Sequence, residues 1–146
     1  SIGSLIAAIH TELLADDTTL QTYELHPGDE LFCLGYPNCV PANDAFFPIL
    51  RSGKVASYPL LPTTQVKTIL FDFQVMRGNS GGPVYIADPF RFYQGSFHTE
   101  VVQFIVGVVT QQVLDQQGQP ITCAVVVHAS LIKETLDLLP EPSNIR

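Results

Sequence analysis

The stretch Gly78-Asn79-Ser80-Gly81-Gly82-Pro83 holds the residues best suited to chemistry. A serine hydroxyl works as a nucleophile only on an exposed tight turn, with room for a carbonyl carbon to approach. Glycines on both sides supply that room and accept backbone angles closed to other residues. The N–H groups of such a turn can also converge on the oxyanion of acyl transfer, where losing one donor typically costs about 10²–10³ in rate. A glycine-rich hairpin loop with an incidental serine is the competing reading, and it suffices for a bare Gly-x-Ser. The full hexapeptide, set between the apolar run Thr68–Phe73 and Val84-Tyr85-Ile86, favours the nucleophile.

Other reactive side chains form no comparable pattern. His10, His26, His98 and His128 show no metal-ligand spacing, and they read as surface or satisfied core histidines. No phosphate loop or nucleotide fingerprint is present. No metal or cofactor is therefore expected. Cys33, Cys39 and Cys123 are an odd number, which does not close a disulfide framework, so they read as small buried apolar side chains. A Cys33–Cys39 bridge across a hairpin is the alternative. Asp88 to Phe97 is an aromatic-rich loop, either packed on the core or exposed to a partner.

The elements that must position Ser80 are strands. Short apolar runs rich in β-branched and aromatic residues lie between Gly and Pro turns. They are Glu30–Tyr36, Phe46–Leu50 and Gly53–Tyr58 (two strands or one bent strand), Thr68–Phe73, Val84–Ile86, Val101–Val109 and Ile121–Val127. Six or seven strands at this spacing predict an all-β barrel or sandwich. Two helices are expected. A short one lies within Asp16–Tyr23, with Asp16 or Asp17 as N-cap. The other runs Leu131–Leu139, with Ser130 as N-cap, Leu131, Ile132, Leu136 and Leu139 on one face, and Pro140 as its stop.

Composition sets the outer limits. The 146 residues are 46% hydrophobic and only 14% charged, which excludes a disordered chain. A chain of this length buries roughly 68–70% of its unfolded surface, enough for a core. The net charge of −7 argues against nucleic acid as a partner. No apolar run is long enough for a membrane helix, so no membrane partner is expected. The odd cysteine count and the lack of a signal-like segment lean towards a cytoplasmic setting.

The hexapeptide resembles the nucleophile loop of trypsin-like (chymotrypsin-fold) serine proteases, and the order of the surrounding segments fits. Gly28-Asp29-Glu30 with Leu34-Gly35-Tyr36-Pro37 is similar to the strand that opens the second barrel in bacterial members. Arg51–Ser57 and Ile105–Thr110 resemble later strands of that barrel, and Ala124–Val127 before the Ser130 helix resembles its closing strand and helix. The match runs from about Gly28 to Leu139. It implies a six-stranded antiparallel β-barrel, the second barrel only, with a C-terminal α-helix. It also implies a serine endopeptidase acting on polypeptide. Ser80 would be the nucleophile, and the N–H groups of Gly78 and Ser80 would form the oxyanion hole. Gln74 would stand at the base of the primary specificity pocket, a neutral residue that gives no reason to prefer Arg or Lys. Thr110, Gln111 and Gln112 would offer backbone to an extended substrate, and Ala124 would line another pocket wall. Asn79 stands where vertebrate digestive members carry an Asp that pairs with a freed N-terminus, so the resemblance points to a bacterial type without that switch.

The family's histidine base and aspartate lie in a first barrel. Only 27 residues precede Gly28 here, too few for one. Ser4-Leu5-Ile6-Ala7 stands where the acid-bearing strand belongs and has no acid. Removing a triad member leaves only a residual rate, roughly 10³–10⁴-fold over water. The chain is accordingly expected to be the nucleophile-bearing piece of a longer protein and nearly inactive alone. Residues 1–27 would be an interdomain linker or the end of the missing barrel, 28–140 the second barrel with its helix, and 141–146 a tail. The missing N-terminal barrel is the expected partner, with a homodimer as another way to cover apolar surface near Ser80. A non-catalytic trypsin-like binding or scaffold domain is the alternative function.

Overall fold

A computed structural model of the chain describes residues 8–140. Eight strands form: β1 (Glu30–Gly35), β2 (Ile49–Val55), β3 (Thr68–Asp72), β4 (Pro83–Asp88), β5 (Arg91–Tyr93), β6 (Ser96–His98), β7 (Val102–Leu114) and β8 (Pro120–His128). Six of them close an antiparallel barrel in the order β1-β2-β3-β8-β7-β4, while β5 and β6 form a separate hairpin. Two helices, α1 (Asp17–Thr22) and α2 (Ala129–Asp137), flank it. The fold is the expected one, a closed six-stranded antiparallel barrel with a C-terminal helix.

Alternation builds the barrel. Leu31 and Cys33 on β1, Ile69 and Phe71 on β3, Val84 and Ile86 on β4, and Ala124 and Val126 on β8 all point inward and are buried. The opposite faces of these strands are more exposed, as the period of two requires. Two glycines let strands approach: a Cβ at Gly53 would collide with the Asp72 carbonyl oxygen, and one at Gly107 with that of Val127. The segment before β1 joins the same core through Ala15, Leu20 and Leu25. The Ala15 N–H donates to the Ile105 carbonyl at 2.9 Å, which ties this segment to β7.

Several sequence expectations shift. Residues 46–58 make one strand, Ile49–Val55, which runs unbroken through Gly53. β7 runs five residues past Val109, pairing with β8 through two register shifts. The 88–97 loop is largely the β5–β6 hairpin. Asp16 caps α1 as expected, accepting the Thr19 N–H at 3.0 Å. Ser130 does not cap α2. β8 pairs with β7 up to His128 and runs straight into the helix, so His128 takes the N-cap position without a side-chain cap. Ser130 lies inside the helix, its buried Oγ without a partner among the described residues. Leu136 and Leu139 on the expected apolar face are exposed. The three cysteines are free, with Cys33 buried, Cys123 half-buried and Cys39 exposed, so only Cys33 fits the buried apolar reading in full.

Candidate functional site

Ser80 stands on the turn between β3 and β4, at one end of the barrel, and is exposed. The turn is built by close approaches that only glycine permits. Gly78 has φ +94°, and a Cβ there would collide with the Tyr36 carbonyl oxygen. The Tyr36 N–H donates to the Gly78 carbonyl at 3.1 Å. Past the serine, Gly81 has φ +82° and donates its N–H to the Val109 carbonyl at 2.7 Å. The Gly82 N–H closes back on the Asn79 carbonyl at 3.0 Å, and a Cβ at Gly82 would strike the Leu34 carbonyl oxygen.

Asn79 turns its side chain inward. It is buried, and its Oδ1 accepts the Met76 N–H at 2.8 Å, while the Asn79 N–H donates to the Met76 carbonyl at 3.0 Å. A Cβ on Gly35 would sit 2.8 Å from its Nδ2, so Gly35 is required to seat it. The asparagine thus braces the loop internally and needs no ion-pair partner.

The Ser80 hydroxyl donates to the Thr110 carbonyl at 3.2 Å. Thr110 is the extra residue of a β-bulge: Val109 pairs with Val126 and Gln111 with Val125, leaving Thr110 unpaired. A bulge re-aims the backbone of the residue it inserts, which brings this carbonyl to the serine. The N–H groups of Gly78 and Ser80 make no hydrogen bond among the described residues. Both residues line a surface groove of about 410 Å³, together with Leu34, Gly35, Tyr36 and Pro48. A second, more apolar groove of about 290 Å³ shares Leu34 and Pro83 with it and is lined also by Ile9, Leu13, Tyr85 and Ile105. Phe46 and Phe47, just before the groove-lining Pro48, are exposed, and the Phe46 carbonyl accepts the hydroxyl of Tyr36, which also lines the groove, at 2.8 Å. Apolar surface therefore lies open beside Ser80.

Gly78, Ser80 and Thr110 come together. Gln111 and Gln112 continue β7 past Thr110, pairing with Val125 and Ala124, and the Gln112 side chain donates to the Ile121 carbonyl at 3.4 Å. Ala124 is fully buried in the barrel core, so its side chain lines no open surface. Gln74 is exposed, and its carbonyl accepts Arg51 Nη1 at 2.9 Å. No histidine hydrogen-bonds to Ser80 among the described residues. The Nδ1 of His26 lies 2.8 Å from the Glu24 carbonyl, His98 contacts Ser96 and Tyr93, and His128 is buried. Among these residues no group of three or more His, Cys, Asp or Glu side chains gathers closely enough to hold a metal ion.

Arg51 is not among the candidate site residues legible in the sequence. It lies half-buried on the inward face of β2, with its guanidinium 4.3 Å above the centre of the Phe73 ring. Its charge reaches Cys33, whose thiol is pushed up to about 11 by burial and drawn back by Arg51.

No protein-family model matches the chain, and no curated protein matches it.

Proposed function

We propose that this chain is the nucleophile-bearing barrel of a trypsin-like serine endopeptidase of bacterial type, with Ser80 as its nucleophile. The observation that carries the reading is the exposed Ser80 on a glycine-built turn, with two N–H groups beside it, those of Gly78 and Ser80, that no other described group engages. Both residues are exposed, so these donors are open to a ligand, and donors aimed where charge develops are usually the largest single contribution to acyl transfer. In this reading Ser80 Oγ exchanges its hydrogen bond to Thr110 for one to an imidazole. It then attacks the substrate carbonyl carbon while the imidazole takes the hydroxyl proton. The two N–H groups would hold the resulting oxyanion. The leaving amine would depart with that proton, and water would hydrolyse the acyl-serine. The imidazole and its orienting carboxylate would come from a histidine-bearing barrel outside these residues, docked on the apolar surface beside Ser80. Gln74, Gln111 and Gln112 would contact the polypeptide substrate from the rim, Gln111 and Gln112 through backbone.

A peptide boronic acid tests the reading, since boron accepts a serine oxygen and presents an oxyanion mimic without needing a base of high efficiency. A boron–Ser80 adduct that shifts the Gly78 and Ser80 amide resonances and vanishes in Ser80→Ala is expected. An unperturbed Gly78 amide on boronate addition would count against it. The second reading, a binding or scaffold domain, is favoured by one observation: the Ser80 hydroxyl is already donated to a carbonyl, and no histidine hydrogen-bonds to it among the described residues.

A further inference from the structure

The turn that carries Ser80 is tied down unevenly. Its C-terminal half has several anchors: the Tyr36 N–H on the Gly78 carbonyl, the Asn38 N–H on the Arg77 carbonyl, and the reciprocal Met76–Asn79 pair. The half nearer β3 is seated in the core by buried Phe73 and by Val75 packed against it, but it has fewer hydrogen bonds. β2 and β3 pair only at Lys54 with Asp72 and Val55 with Phe71, although β2 extends back to Ile49. From Phe73 onward the chain therefore departs from β2 without a ladder, and residues Phe73–Arg77 have no regular structure. Arg51 reaches across this gap. Its Nη1 donates to the Gln74 carbonyl at 2.9 Å, and its guanidinium stacks on Phe73, which itself stacks on core Phe71 at 5.0 Å. Among the described residues no other hydrogen bond reaches Gln74 or Val75, and no carboxylate pairs with Arg51. A half-buried arginine turned towards a barrel interior costs desolvation, and here the return is one charged hydrogen bond and one aromatic face.

We propose that Arg51 is a positioning residue for the nucleophile turn: a strut that fixes where residues 74–79 leave the barrel, and through them the Gly78 N–H. This rests on the reading of Ser80 as the nucleophile only for its catalytic meaning; the mechanical claim stands on the contacts above. Arginine suits the task better than lysine. Its planar head can donate to a carbonyl and lie on a ring at once, whereas an ammonium is a hydrated point charge.

The test uses the full chain and the variants Arg51→Ala and Arg51→Lys, read by amide hydrogen exchange and by peptide-boronate affinity. The Met76 and Asn79 amides report the turn, because both donate within it. In Arg51→Ala their exchange should quicken at least about tenfold, the equivalent of one hydrogen bond from a charged donor, while barrel amides such as Ile69, Ile86 and Val106 hold their rates. Arg51→Lys should fall between the two. Ethylguanidinium chloride should restore slow exchange in Arg51→Ala, whereas sodium chloride at equal ionic strength should not. Boronate affinity at Ser80 should fall and recover in step. Unchanged exchange at Met76 and Asn79, or an even rise across turn and barrel alike, overturns the strut. Boronate that never bonds Ser80 in the unmodified chain removes the protease reading instead, and the exchange data still decide the role of Arg51.

Discussion

The Thr110 carbonyl and the Ser80 hydroxyl meet because two local irregularities face each other, a bulge on β7 and a turn of glycines before β4. The position of Ser80 is thus a property of backbone, which makes it sensitive to single Cβ atoms. Gly78→Ala puts a side chain at φ +94° and drives it into the Tyr36 carbonyl oxygen. Left-handed geometry alone costs roughly 1–2 kcal/mol in a non-glycine residue, and the collision adds to it. Urea denaturation should show a loss of at least about 1 kcal/mol, and the Tyr36 amide, bonded to the Gly78 carbonyl, should exchange faster. Gly118→Ala, at an open turn where a Cβ meets nothing within 4 Å, serves as the control for positive φ without collision.

Among the elements, the β5–β6 hairpin is anchored by Arg91, together with Tyr93 packed edge-on against Tyr23. Arg91 is 4% exposed, bonds both oxygens of Asp29, and donates to the Tyr23 and Glu24 carbonyls. Removing one partner of a buried ion pair strands the other, at a typical cost of about 3–5 kcal/mol. Arg91→Met should lose stability on that scale, and proteolysis should then cut first between Asp88 and Val101. At the start of α2, burial lowers the His128 pKa below its ordinary 6.5, with the Asp17 charge pulling the other way. The unfolded chain then takes up a proton below pH 6.5 that the folded chain refuses until its own lower pKa. Stability must fall as pH drops through that window, by at most about 1.4 kcal/mol per pH unit for one proton. His128→Gln should flatten this slope between pH 6.5 and 5 in a denaturant series.

The strands were legible because alternation reports which face is buried, as at Leu31, Cys33, Ile69 and Phe71. The start of α2 was not, because the Ser130 cap signal is local while the pairing that carries β8 to His128 is tertiary. The hexapeptide could be read because glycine spacing is itself the geometric requirement. The carbonyl that meets Ser80 could not, since a bulge depends on register between β7 and β8 and leaves no residue-type signature at Thr110. Arg51 falls between the runs Phe46–Leu50 and Gly53–Tyr58, so its inward place on β2 was not legible, and its partner lies 23 residues away on a segment without periodicity.

For the molecule as a whole, the barrel places Ser80 at one end, in a groove lined also by Leu34, Tyr36 and Pro48, within a chain of net charge −7. The central claim is the proposal that this barrel supplies nucleophile and oxyanion donors, with the imidazole base and its carboxylate coming from outside the described residues. Fluorophosphonate labelling with the adduct mapped by mass spectrometry, in the absence and presence of free imidazole, tests it most directly. The account predicts slow labelling concentrated on Ser80, a clear acceleration by imidazole, and no adduct at that position in Ser80→Ala. Rapid labelling without imidazole would reveal a base within the chain, and adducts no faster at Ser80 than at the exposed Ser52 and Ser96 would contradict the claim outright.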